Sequence, residues 1–194
     1  EHGAAVFGGD GYSSDWHEAA VKERGLKNIP TTADALPALR EESVKELFES
    51  TGVLSPVELE SRYEVYSEQY ILSIEVEAKL VIDMAKTLIY PAAVRYLADL
   101  ALTSSSLVDM DIDLDNSTAI SVAAEANAMM GAVGKLSDAM EQHDFASTEE
   151  HMQFCAKTIR ALMDEVRSHA DALETEVADE LWPLPKYQEM LFIK

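Results

Sequence analysis

The sequence predicts an all-α fold: an antiparallel bundle of three long helices, the first kinked at Pro91, preceded by a short helical N-terminal segment. Three observations carry this. The 194 residues are 47% apolar yet hold only 8 Gly and 6 Pro, a composition that favours long helices over collagen-like or disordered chains. Between Pro56 and Pro91 no helix breaker occurs. Three separate runs then place apolar residues at steps of three and four, the spacing of one helical face.

The first dozen residues, with Gly3, Gly8, Gly9 and Gly11 around Val6 and Phe7, read as a loop or short extended strap. Ser13 or Ser14 can cap a helix running through Arg24, with Asp15 and Glu18 in its positively polarised first turn and Gly25 just past its end. From Leu26 to Leu39 two prolines and Thr31-Thr32 predict an irregular connector. Glu41 to Ser50 follows as a short amphipathic helix closed by Gly52.

Ser55-Pro56 places a cap before a first-turn proline and opens a helix of about 34 residues, roughly 50 Å at 1.5 Å per residue. Its stripe is Tyr63, Tyr66, Tyr70, Ile74, Ala78, Val81, Ala85, Leu88 and Ala92, and the helical pattern continues past Pro91 to Leu102. Thr103 to Asn116 reads as a loop. A second run carries Val122, Ala126, Met129, Val133, Leu136 and Met140. A third begins near Ser147 or Thr148 with Met152, Cys155, Ile159, Leu162, Val166, Ala170, Leu173 and Val177. Connectors short relative to the helices imply antiparallel neighbours. Leu181-Trp182-Pro183-Leu184-Pro185 ends the third helix, and Tyr187, Met190, Leu191 and Phe192 form an apolar tail that needs a docking place, on the bundle's own end or on a neighbour. The expected division is 1–54, strap and short helices, and 55–194, the long-helix bundle with its tail, together one compact unit.

The formal net charge of −21 argues against nucleic acid and anionic membrane as partners. One cysteine, Cys155, cannot form an internal disulfide, and no leader or long uncharged apolar run is visible, so a reducing, cytoplasmic setting is expected.

No catalytic, cofactor-binding or metal-binding residue is assigned. No histidine has an acidic residue three positions before it, as di-iron bundles require. His151 and Cys155 share a helical face at i and i+4, but a third ligand is missing; a core cysteine and a surface histidine are the simpler reading. His169 has Glu165 four residues before it, the spacing of a helix-surface ion pair. Asp109, Asp111, Asp113 and Asp115 alternate like the start of a calcium loop, yet the required Gly and Glu are absent, leaving a solvated loop whose last carboxylates favour the next helix N-terminus. Gly8-Gly9-Asp10-Gly11 lacks the strand and the Lys-Ser/Thr of a phosphate loop.

Ordered strings nevertheless carry a family resemblance. They are Val6-Phe7, Gly9-Asp10-Gly11-Tyr12-Ser13, Trp16, Arg24-Gly25-Leu26 with Asn28, Thr31-Thr32 with Ala35-Leu36-Pro37, and Leu47-Phe48-Glu49 with Gly52-Val53-Leu54-Ser55. Further along come Glu58-Leu59-Glu60-Ser61-Arg62-Tyr63-Glu64, Met84-Ala85-Lys86 and Glu180-Leu181-Trp182-Pro183 with Pro185 and Tyr187. Together they resemble the C-terminal region of the long, type III glutamine synthetases; from Leu107 to Met152 only the helical pattern agrees. The resemblance implies a parent enzyme that ligates ammonia to glutamate with ATP and magnesium or manganese, in a ring-based homo-oligomer. It also implies that the ligands of that chemistry lie in a catalytic domain preceding Glu1, leaving this chain a structural, assembly or regulatory role with that domain and neighbouring subunits as partners. The alternative from the residues alone is a freestanding acidic helical-bundle interaction module.

Overall fold

The computed structural model describes residue 3 and residues 6–191, and every described element is helical. Phe192 lies outside the described residues. Contacts divide the chain into two units, Glu1–Tyr66 and Ser67–Lys194.

In the first unit α1 spans Ser14–Lys22, with the Ser13 hydroxyl accepting from the Trp16 N–H. Two residues sooner than expected, the helix stops: the Arg24 N–H turns back to the Ala19 carbonyl and that of Leu26 to Ala20, with Gly25 at φ +65°. The strap is held on α1 by rings. Phe7 lies 4.6 Å from Trp16, and the Arg24 guanidinium sits over both while donating to the Val6 carbonyl. A Cβ on Gly9 would stand 2.8 Å from the Phe7 ring, so that glycine lets the ring fold back.

The connector expected to be irregular is partly helical. Thr31 caps α2, Thr32–Ala35, by accepting from the Asp34 N–H, and a 3₁₀ turn, Leu36–Arg40, runs on from it with Pro37 in its first turn. The reason is local: Thr31 satisfies an orphan donor, and Pro37 sits where its missing N–H is not needed. α3 is Glu42–Ser50. It closes with Val53 N–H to the Phe48 carbonyl and Gly52 N–H to Glu49, the paired bonds of a left-handed C-terminal cap, with Gly52 at φ +68°.

α4, Pro56–Met84, starts with a capping box. Glu58 accepts from the Ser55 N–H at 2.8 Å while the Ser55 hydroxyl accepts from the Glu58 N–H, and those bonds to the carboxylate hold its pKa below the ordinary value. The helix passes through a π-helical turn, Ala85–Ile89, into α5, Tyr90–Val108, giving 53 helical residues without a break. Just before Pro91 the Tyr90 N–H reaches back five residues to Ala85. The chain thus accommodates the proline by a widened turn and carries on.

The buried face of this helix differs from the expected stripe in two places. Tyr66 and Leu88 are exposed, whereas Leu59, Ser67, Ile71 and Ile89 are buried beside Tyr63, Ile74, Ala78, Ala85 and Ala92. The expected loop from Thr103 also starts late, because α5 continues to Val108. The Thr103 and Ser106 hydroxyls donate to the carbonyls of Asp99 and Leu102, four residues back, so these polar side chains bond within the helix and do not end it.

α6, Ser117–Met140, α7, Thr148–Phe154, a second π-helical turn, Cys155–Ile159, and α8, Arg160–Glu176, complete the bundle. Side-chain pairs fix the direction. Ser121 bonds Glu176, Glu125 bonds His169 and Lys135 bonds Glu165, so one helix ascends as the other descends. α6 packs on both α5 and α8, burying Val122, Ala126, Met129, Val133 and Leu136 against Val166 and Leu173. Each such large side chain contributes about 1.5–3 kcal/mol by leaving water. A 3₁₀ turn, Asp179–Leu181, brings down the buried Trp182, and α9, Tyr187–Leu191, leaves Met190 and Leu191 exposed.

Candidate functional cleft

The connector 141–147 between α6 and α7 places Phe145 on the ring of His151, centroids 4.2 Å apart and planes within 9°. Phe154 backs Phe145 at 5.2 Å. His151 Nε2 lies 3.2 Å from the Glu75 carboxylate of α4, both side chains about three-quarters buried. Beside this couple an open cleft of about 460 Å³ is walled by Glu68, Ile71 and Leu72 of α4 and by His143 and Phe145 of the connector. Carboxylate, imidazole and aromatic surfaces thus meet in one concavity. Such a lining suits a cation with apolar flanks.

Cys155 is on the inner side of this couple, fully buried in the second π-helical turn. Burial, assisted by the nearby Glu75 charge, pushes its thiol up to about 11. A thiol so held stays protonated and is a poor nucleophile. The core reading of Cys155 holds, while that of His151 as a surface residue does not: its ring is stacked and paired. Glu75 was not singled out by sequence pattern. Its signal was a carboxylate one residue after Ile74 and three before Ala78, the edge of a buried stripe.

His169 is likewise re-partnered. Its Nδ1 lies 2.7 Å from Glu125 of α6, and Glu165 instead pairs with Lys135, so the expected pair within α8 is replaced by two bridges between helices. Three of the four aspartates sit at helix ends, Asp109 being the last-turn cap of α5. Asp111, at φ +58°, donates its N–H to Val108 while Ile112 donates to Leu107, which closes α5; Asp115 accepts from the backbone and hydroxyl of Ser117, which open α6 and lower the Asp115 pKa. Gly8, Gly9 and Gly11 lie in the strap loop, away from any phosphate-cradling strand and helix.

Among the described residues no three His, Cys, Asp or Glu side chains converge as a metal site. The divalent metal implied by the family resemblance therefore has no such cluster to hold it among the described residues. No helix of the described residues is long and apolar enough to cross a membrane.

A family model described as glutamine synthetase C-terminal domain matches residues 1–107. Over 203 aligned residues the chain is 37% identical to a type-3 glutamine synthetase of Dictyostelium discoideum, covering 100% of this chain and 28% of that protein. It is 30% identical to a glutamine synthetase of Bacteroides fragilis (strain YCH46), over 97% of the chain and 27% of that protein. With a glutamine synthetase of Butyrivibrio fibrisolvens the identity is 31%, over 98% of the chain and 28% of that protein. The chain thus spans little more than a quarter of the length of the curated relatives it matches.

Proposed function

Because the chain belongs to the glutamine synthetase C-terminal domain family, we propose that it serves a type III-like synthetase as a non-catalytic helical domain, supporting assembly or regulation of a parent enzyme that ligates ammonia to glutamate. The observation that carries this is the family match over residues 1–107 together with relatives about three and a half times longer than the aligned segment. Its side chains support a structural role. Both largely buried histidines are engaged with glutamates on other helices, the thiol is masked, and the Asp115 carboxylate holds the start of α6. In this reading ATP and the divalent metal are held by polypeptide outside this chain, and the setting is cytoplasmic, within a homo-oligomer.

Removal of this domain from the full-length polypeptide tests the role. Glutamine formation and oligomer mass should fall together, each measured on purified enzyme; a truncated enzyme unchanged in both would remove the proposed role. A second reading, a freestanding acidic interaction module, is favoured by the charge of −21 and by exposed apolar residues on α4. Sequencing the coding region upstream of Glu1 separates the two, since only the first requires a catalytic domain there.

A further inference from the structure

α4 is apolar on two faces. Ile71, Ile74 and Ala78 enter the core, while Leu72, Val76 and Leu80, at steps of four on the opposite side, are 60%, 63% and 55% exposed. Four-residue steps keep them on one strip about 12 Å long. The strip runs directly into the cleft, since Leu72 also lines it, and there Glu68 stands exposed without an ion-pair partner among the described residues, with Glu75 deeper inside. A shallow groove beside Leu72 and Val76 is edged by a further carboxylate, Glu77.

Resting on the synthetase reading above, we propose that this strip and cleft form a docking surface for a basic, apolar-faced segment of the remaining synthetase polypeptide. An Arg or Lys would enter beside Glu68 and Phe145, and neighbouring Leu-type side chains would lie on Leu72, Val76 and Leu80. Two observations select this occupant. The lining asks for a cation flanked by hydrocarbon, because carboxylates edge an apolar strip and an aromatic ring closes one end. A second copy of this chain is disfavoured by charge, since it would bring another −21 toward the same acidic surface, whereas the relatives carry some 70% of their length outside the matched region. The strip would then be covered in the intact enzyme.

The test places the photo-crosslinking residue p-benzoylphenylalanine at position 76 of the full-length polypeptide, with position 127, an exposed site on α6, as control. Irradiation and peptide mapping should join position 76 to a segment outside residues 1–194 that carries Arg or Lys within one helical turn of apolar residues. The Glu68→Lys variant should cut that yield about fivefold or more by repelling the cation. Cross-links only to residues 67–194 of another copy, to a segment without a basic residue, or no more than at position 127, overturn the proposal in an enzyme that forms glutamine. A full-length protein that forms no glutamine overturns instead the reading on which the proposal rests.

Discussion

Asp111 holds a left-handed backbone, φ +58°, at the end of α5, where an L side chain crowds its own carbonyl. The bonds that close the helix run through backbone groups, Asp111 to Val108 and Ile112 to Leu107, so the side chain is not needed for them. Asp111→Gly should therefore stabilise the chain by about 0.5–1 kcal/mol, read as a higher urea midpoint at unchanged slope. Gly25 and Gly52 already occupy the matching positions after α1 and α3 and were legible as helix stops, whereas an aspartate among aspartates gives no such signal. Cys155 is the opposite case, a residue whose inertness follows from burial. With its thiol pushed up to about 11, only about one part in a thousand is thiolate at pH 8. A colorimetric disulfide reagent should find no fast-reacting thiol in the folded chain and one per chain after denaturation; rapid stoichiometric labelling of the folded chain would contradict the burial described.

Two of the three long helices share a device, a π-helical turn within an otherwise α-helical run. In each case a buried pair four residues apart, Ala85 with Ile89 and Cys155 with Ile159, brackets the widened turn. An α-helix turns 100° per residue, so four residues overshoot one turn; the wider turn brings the second member back onto the first's face. This explains the misplacement of Leu88, which a constant 3.6-residue period keeps on the stripe and the widened turn swings into solvent. Tyr66 was misplaced for another reason: the buried position beside it is Ser67, and a serine carries no apolar signal. Where α6 keeps a regular period, Val122, Ala126, Met129, Val133 and Leu136 were all readable. A deletion separates the two kinds of helix. Removing exposed Lys157 should convert the second π-helical turn to α-helix and preserve cooperative melting with a modest loss. Removing Ala128 from α6 should rotate Met129 to Leu136 by about 100° off the core and abolish cooperative melting followed by circular dichroism.

At the scale of the whole chain, 36 acidic against 15 basic residues set a self-repulsion that exposed ion pairs such as Lys22–Glu18 do not cancel. Raising sodium chloride from about 10 mM to about 150 mM shortens the screening length from roughly 30 Å to roughly 8 Å and should raise the melting temperature. A fall would mean that attractive pairs such as Lys135–Glu165 outweigh the repulsion. The all-α class, the three long helices and the family were legible because each rests on many residues in agreement. The cleft was not, since it depends on Glu75, Phe145 and His151 meeting from segments up to 76 residues apart in sequence. The turn between α5 and α6 has one more consequence. Each flanking helix is closed by its own end residues, through Leu107 and Val108 on one side and Asp115 and Ser117 on the other, while Ile112 and Leu114 stay exposed between them. A foreign peptide spliced in at Asp113 would unfasten neither end, so this corner can host an epitope tag.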